Sequence, residues 1–295
     1  MTKSCNGQKM DMPTMPIWLF EKFCGLIHTE CGITLNDQKR TMLESRLYKR
    51  LILLGFSTYE EYYNYLSDNA IRHTELESLI NAVTTNKTEF FRERKHFLFL
   101  SEIGLPEIVS GRRFRVHNRI NVWSAGCSTG EEPYTIAMTL AEFFGGKTVN
   151  FHITATDIST HVLEIARKAV YTREIVEPVP GYMKMKYLMK GKGKFEGMFR
   201  IVPELRNAVN FVRLNFRSLD FGMQSKMDII FCRNVIIYFD HDMRVKLINQ
   251  MYRQLNPGGL LFIGHSETLS GISDRFELLA PTIYQKPFAS QEEKK

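Results

Sequence analysis

Apolar residues along the first third of the chain recur at helical spacing. Trp18, Leu19, Phe23, Leu26 and Ile27 form one stripe. Leu43, Leu47, Leu51 and Leu54 form a second, which stops at Gly55, a residue suited to the left-handed turn that ends helices. Residues 59–66 and 75–83 continue the pattern, and Thr84-Thr85-Asn86-Lys87-Thr88 breaks it. After a basic, polar connection over 112–119 the period changes. Strand-like apolar runs at 120–123, 149–156, 209–214, 227–232 and 259–263 alternate with helical segments at 134–143, 161–170 and 243–255. Residues 276–279 and 282–285 flank a proline turn, as a terminal hairpin at the sheet edge would. This alternation predicts an α/β domain with a mostly parallel sheet covered by helices on both faces. One stretch departs from it: 183–202 is basic and dotted with glycines, and 191–201 alternates apolar and polar residues, which predicts a small inserted hairpin where a partner could bind.

Within the α/β part, Ile120 and Val122-Trp123 lead into Gly126, Gly130 and then Pro133 at a helix start. A strand, a glycine turn and a helix make the ligand-binding corner of an open α/β sheet. The spacing is G-x-x-x-G rather than the dinucleotide G-x-G-x-x-G, and Glu131-Glu132 follow it. A helix N-terminus attracts anions, but two carboxylates already there repel a pyrophosphate and favour a cationic or polar ligand. A sulfonium with an amino-acid tail, S-adenosylmethionine, suits that field better than NAD. The same residues also suit a ligand-free helix start. Asp157, one helix and one strand beyond Gly130, lies where such sites hold ribose hydroxyls, or it caps the next helix, a task open to Ser159-Thr160.

Composition narrows the setting. With 295 residues, 44% of them hydrophobic, the chain can bury a substantial core. No run of about 20 apolar residues exists, and residues 1–9 lack the apolar core of a signal peptide, so a cytoplasmic protein without direct membrane insertion is expected. Five cysteines, none in C-x-x-C, argue against a zinc site or disulfide framework, and no metal is expected. The net charge of +7 is uneven: Lys184, Lys186, Lys190, Lys192, Lys194 and Arg200 face only Glu196 in sequence. That cluster suits an acidic protein surface or nucleic acid. Lys39, Arg46, Lys49 and Arg50 fall within roughly a 100° arc beside the second helical stripe, as a solvated edge or a docking site for an acidic partner.

Five strings share one resemblance: Asn86-Lys87-Thr88-Glu89-Phe90-Phe91-Arg92, the 123–134 turn, Ala155-Thr156-Asp157-Ile158-Ser159, residues 231–239 (Phe-Cys-Arg-Asn-Val-Ile-Ile-Tyr-Phe), and Gly264-His265-Ser266-Glu267. Together, in this order, they resemble the CheR family of chemoreceptor glutamate methyltransferases, over about residues 15–287. The resemblance implies a helical receptor-recognition domain over 1–85. It implies a Rossmann-like S-adenosylmethionine-dependent methyltransferase domain over 86–295, with a small antiparallel β-subdomain inserted at about 180–208. Carried over by position, Asn86, Thr88 and Arg92 line the cofactor site with Ala125 and Gly126. Glu132 is an acidic cofactor contact from which Glu131 is not separable, and Asp157 holds the ribose. Asn215, Phe216, Asn234 and Val235 meet the adenine and methionine portions, and Arg92 and Tyr238 flank the transferred methyl.

The implied reaction is methyl transfer to receptor glutamates, with S-adenosylhomocysteine as product, and it needs neither metal nor cysteine nucleophile. The implied partners are the cytoplasmic helical region of chemoreceptors, facing Lys39, Arg46, Lys49 and Arg50. A receptor C-terminal peptide could add to the β-subdomain around Gly191, Gly193, Gly197 and Arg200. Two alternatives compete. A nucleic-acid methyltransferase is allowed by the charge, but N-P-P-Y is absent, Asn256-Pro257-Gly258-Gly259 being the closest string, so no nucleic-acid partner is expected. A cofactor-binding sensor or adaptor without turnover would use the same pocket.

Overall fold

The computed structural model describes residues 13–111, 119–145, 150–218 and 220–288. The expectations for the N-terminal residues 1–12 and for the basic connection over 112–118 lie outside the described residues. Two compact units divide the chain, Met1–Thr84 and Thr85–Lys295.

In the first unit the helices Ile17–Cys31, Arg40–Leu54, Tyr59–Tyr65 and Asn69–Val83 follow the two apolar stripes. Leu19, Phe20, Phe23 and Ile27 bury against this unit's core, as do Leu43, Leu47, Leu51, Tyr59 and Tyr62. Trp18, expected in the first stripe, is instead 45% exposed, because the buried face runs through Phe20 and Cys31. Gly32 and Gly55 close their helices at φ 76°. Thr58 and Glu61 form a reciprocal capping box.

The basic edge of the second helix is narrower than its periodicity predicts. Arg50 pairs with Glu75 at 2.6 Å, and the Tyr62 hydroxyl donates to the same carboxylate at 2.7 Å. Arg46 donates to the carbonyls of Val83 and Thr84, which end the Asn69–Val83 helix and have no partner within it. A buried carboxylate and the terminal carbonyls of a helix draw these two long side chains inward. Lys39 and Lys49 are the ones that stay exposed.

The second unit is built on a seven-stranded sheet. Its strands are β1 (Arg119–Ala125), β2 (Asn150–Asp157), β6 (Val209–Arg213), β7 (Met227–Cys232), β8 (Leu255–Ile263), β9 (Glu277–Ala280) and β10 (Ile283–Gln285), in the order β6-β2-β1-β7-β8-β10-β9. The first five are parallel; β10 runs antiparallel between β8 and β9. β7 is buried at every position, as a central strand covered on both faces must be. Successive strands leave β1 first toward β2 and β6, then toward β7 and β8. The connections therefore diverge between β1 and β7, and a crevice opens at the carboxyl ends of these two strands.

Besides the short helices Gly181–Tyr187 and Pro203–Asn207, two regions of this unit differ from the sequence expectation. The helix expected over 161–170 ends at Lys168; Ala169 turns left-handed at φ 53°, and Val170–Thr172 becomes strand β3. With β4 (Leu188–Lys190) and β5 (Met198–Ile201) it forms an antiparallel sheet in the order β3-β5-β4, so the small sheet takes one strand from ahead of the basic insertion. Helices Lys95–Phe99 and Leu105–Ser110, joined by a π-turn at Leu100–Gly104, have no counterpart in the sequence reading. They bury His96, Phe97, Leu100 and Leu105, and Phe97 stacks on Phe231 of β7. No described helix is long and apolar enough to cross a membrane.

Candidate active site

At the end of β1, Gly126 turns at φ 81° with its N–H, and that of Cys127, donating to Thr156 of β2 at 2.8 and 2.9 Å. A Cβ on Gly126 would lie 2.5 Å from Val235 Cγ2, so the absence of a side chain is what lets this turn approach the segment after β7. Gly130, at φ 98°, leads into the helix Glu131–Phe144. Asp157, at the end of β2 and 8% exposed, accepts from Ser128 N at 2.9 Å and from Ser159 N at 3.0 Å. It ties the glycine turn to the next helix start, and Ser159 caps that helix through its own hydroxyl. Burial pushes the Asp157 carboxyl up, and these N–H donors hold it back.

The two glutamates at the helix start diverge. Glu131 is buried and accepts from Thr129 Oγ1 at 2.6 Å, so its carboxylate serves the turn itself. Glu132 accepts from Ser124 Oγ at 2.7 Å and faces Arg233 Nη1 at 3.3 Å. Burial raises both carboxyls, and for Glu132 Arg233 and the Ser124 hydroxyl oppose it.

Arg233 follows β7 directly, its side chain 2% exposed. Its guanidinium also donates to Glu93 Oε2 at 3.0 and 3.1 Å and to the Arg92 carbonyl, and lies 5.4 Å from the Phe97 ring centre. Burial alone would push Glu93 up, but Arg233 and the backbone N–H of His265 hold it below the usual carboxylate range. His96 sits beside this pair. Its Nε2 is 2.9 Å from Thr282 Oγ1, a hydroxyl that also lies 2.6 Å from Pro281 O. Nδ1 makes no hydrogen bond and lies 3.4 Å from Glu93 Oε2. Burial and Arg233 push His96 down to about 3. Glu93, His96 and His265 bring metal-ligating atoms within 4.8 Å of one another. Both lone-pair sites of Glu93 Oε2, however, are already taken by the Arg233 guanidinium.

The segment 86–92 meets the same crevice. Ser128 Oγ donates to Asn86 O at 2.9 Å, and Phe91 N donates to Thr135 Oγ1 at 3.2 Å. Six non-glycine residues among those described have positive φ, and four of them, Phe91, Glu93, Ser128 and Asn234, lie around this crevice. Such strain persists only where the surroundings enforce it.

A family model for the CheR methyltransferase, all-alpha domain matches residues 19–84, and one for the CheR methyltransferase, SAM binding domain matches residues 86–285. The chain belongs to the CheR methyltransferase family. It is 40% identical to the chemotaxis protein methyltransferase of Escherichia coli K12, over 90% of this chain and 89% of that one. It is 40% identical to that of Borreliella burgdorferi over 88% and 91%, and 39% identical to chemotaxis protein methyltransferase 2 of Pseudomonas aeruginosa over 86% and 87%.

Around this crevice the structure gathers Asn86, Arg92, Ala125, Gly126, Glu132, Asp157, Asn234 and Val235. Thr88 and Tyr238 are half-buried, Tyr238 on the short 3-10 helix Ile236–Tyr238. Phe216 packs 6.2 Å from Trp123, whose Nε1 donates to Thr156, and Asn215 accepts from Arg217 N. Arg233 and Glu267 lie within the strings that carry the family resemblance, but the sequence assigned no role to them or to Glu93. The available signal was a lone arginine directly after the apolar run Ile229-Ile230-Phe231-Cys232, which needs an acid from elsewhere.

Away from the crevice, the three-stranded sheet borders a pocket of about 730 Å³ lined by Val170, Met189, Phe195 and Phe199, with Lys168, Lys190 and Arg200 among its walls. Gly191 lines it too, whereas Gly193 and Gly197 turn at φ 59° and 80° in open space.

Proposed function

We propose that this chain transfers the methyl group of S-adenosylmethionine to glutamate side chains of the cytoplasmic helical region of chemoreceptors, for sensory adaptation in chemotaxis. The products are a glutamate methyl ester and S-adenosylhomocysteine, and the enzyme works in the cytoplasm. One observation carries the reading: both parts of the chain match, in order, the two domains of one methyltransferase family.

The donor set suits the cofactor. A carboxylate offers about four lone-pair sites; Glu132 uses one on each oxygen, for Ser124 and Arg233, and keeps acceptors for an ammonium group. Asp157 likewise retains an acceptor for a ribose hydroxyl beyond the backbone N–H groups it holds. When bound, S-adenosylmethionine supplies an electrophilic methyl group on a sulfonium. The chain's residues then have a modest task. A substrate glutamate, with an ordinary pKa of about 4.3, is already ionised near neutrality and needs no general base. Arg92, which uses Nη1 on the Lys87 carbonyl at 2.9 Å, has further guanidinium donors to orient that carboxylate, and Tyr238 offers a hydroxyl. The reaction asks for no metal.

For recognition, exposed Lys39 and Lys49 suit a receptor helix bearing acidic residues, while Arg46 and Arg50 shape the helix that presents them. The pocket beside β3 and β5 suits a receptor C-terminal peptide, whose tethering would raise the local substrate concentration.

Transfer of labelled methyl to receptor-containing membranes, with base-labile release of methanol, tests the reading; label entering RNA instead would overturn it. Arg92→Ala should lower turnover about 10²–10³-fold, in the range for loss of one oriented donor, with an unchanged melting temperature. Near-normal turnover at saturating cofactor would remove Arg92 from the chemistry.

A further inference from the structure

A carboxylate that the transfer chemistry does not use stands behind the crevice. Glu267 is 7% exposed, and its partners are backbone N–H groups. Oε2 accepts from Asn234 N at 2.9 Å and Gly264 N at 2.6 Å; Oε1 accepts from Val235 N at 2.9 Å and Ile237 N at 3.3 Å. Converging N–H groups of this kind form a nest that draws an anion. Here the protein fills its own nest from the turn after β8. The approach is close enough that a Cβ on Gly264 would lie 2.5 Å from Asn234 Nδ2 and 2.8 Å from Glu267 Oε2. Asn234 sits at φ 58°, in the left-handed region that asparagine adopts more readily than other non-glycine residues.

The held segment matters because of what it carries. Asn234 and Val235 border the Gly126 turn, and the 3-10 helix Ile236–Tyr238 follows at once. A space-filling apolar residue at 267 would leave four donors without acceptors. An isosteric amide would satisfy one pair and oppose the other with its own N–H groups.

We propose that Glu267 is a positioning residue of the cofactor crevice, its carboxylate serving as an internal anion that fixes the segment bearing Asn234, Val235 and Tyr238. The inference rests on the reading of this crevice as the S-adenosylmethionine site. Charge and shape separate in two variants: Glu267→Gln keeps the shape and loses the charge, and Glu267→Asp keeps the charge on a shorter arm. Calorimetric titration with S-adenosylhomocysteine, well below each variant's melting temperature, should rank the affinities wild type, then Asp, then Gln. Gln should be weaker than wild type by about tenfold or more, the scale of buried donors left unmatched. Gln within about twofold of wild type, with Asp the poorer binder, would make Glu267 a mere space-filler and overturn the proposal.

A second measurement needs no variant. In the unliganded wild-type protein the amides of Asn234 and Val235 should exchange with solvent about 100-fold or more slower than an open chain, although both residues are only half-buried. Exchange near the open-chain rate would equally overturn the proposal. If the wild-type protein failed to bind S-adenosylhomocysteine while these amides stayed protected, the functional reading would fall and the cradle would stand.

Discussion

The crevice at the ends of β1 and β7 and the pocket beside the three-stranded sheet handle charge in opposite ways. In the crevice, Glu132, Asp157, Arg233 and Glu267 are almost fully buried, and each is held by named partners. Around the pocket, Lys168, Lys190 and Arg200 stand exposed beside apolar walls, with Phe195 56% and Met189 41% accessible. Buried, paired charges cannot move without leaving a partner desolvated, so they fix geometry. Exposed charges are screened and adjustable, so they tune attraction. The first arrangement suits a small ligand that must be placed to a fraction of an ångström; the second suits a peptide that need only be captured.

The largest effect expected from that contrast is at Arg233. Arg233→Met fills similar space but leaves Glu93 and Glu132 facing each other without their cation. Breaking such a buried network should cost about 3–5 kcal/mol in urea unfolding. A loss below about 1 kcal/mol, the scale of a surface pair, would erase the distinction between the two regions.

Next comes the pair at the helix start. Since Glu131 serves Thr129 inside the turn while Glu132 faces the crevice, Glu132→Ala should weaken S-adenosylmethionine binding by about tenfold or more. Glu131→Ala should weaken it by no more than about threefold, given what one charged hydrogen bond contributes. Equal or reversed effects in a binding titration would exchange the two roles.

How much of this was legible beforehand depends on the range of the interactions. The amphipathic helices, the parallel strands and the Gly126–Gly130 turn follow from local periodicity and from residues that permit positive φ. Strand β3 was hidden because Ala169 and Val170 continue a helical pattern until Ala169 turns left-handed. The charged hub was hidden for a different reason. Arg233 meets Glu93 across 140 residues of sequence, and the Glu93 contact with the His265 N–H spans 172. Asp157 and the Glu131-Glu132 pair could be placed from the α/β pattern, but the choice of Glu132 over Glu131 came only from the family resemblance. That Arg46 and Arg50 turn inward could not, since the Glu75 and the helix end that attract them belong to another helix.

A smaller, pH-dependent effect belongs to His96. Its folded pKa, lowered to about 3 by burial and by Arg233, lies below the unfolded value of about 6.5. The unfolded chain therefore binds the proton more readily throughout that window. The stabilising contribution is whole above about pH 6.5 and declines as pH falls toward 3, by at most about 1.4 kcal/mol per pH unit. Glu93 and His265, the other titrating groups facing the ring, are unchanged in His96→Gln. The difference between the two unfolding profiles then isolates the histidine. The variant should be relatively more stable at pH 5 than at pH 7, and parallel profiles would mean that His96 takes up a proton in the folded state.

The smallest effect tests the other side of the comparison. Lys168 and Lys190 border the pocket while exposed to solvent, and an acidic receptor peptide seated there would feel each as a screened charge. Exposed pairs contribute about 0.2–1 kcal/mol. Lys168→Gln or Lys190→Gln should therefore weaken peptide binding only about two- to fivefold near 0.15 M salt, where the screening length is about 8 Å. At about 1 M, with screening over about 3 Å, variant and wild type should converge. The affinity that survives high salt would then belong to the apolar walls, Val170, Met189, Phe195 and Phe199. A lysine substitution that abolished binding at every salt concentration would instead mark a desolvated ion pair, and the pocket would share the crevice's logic of fixed, buried charge.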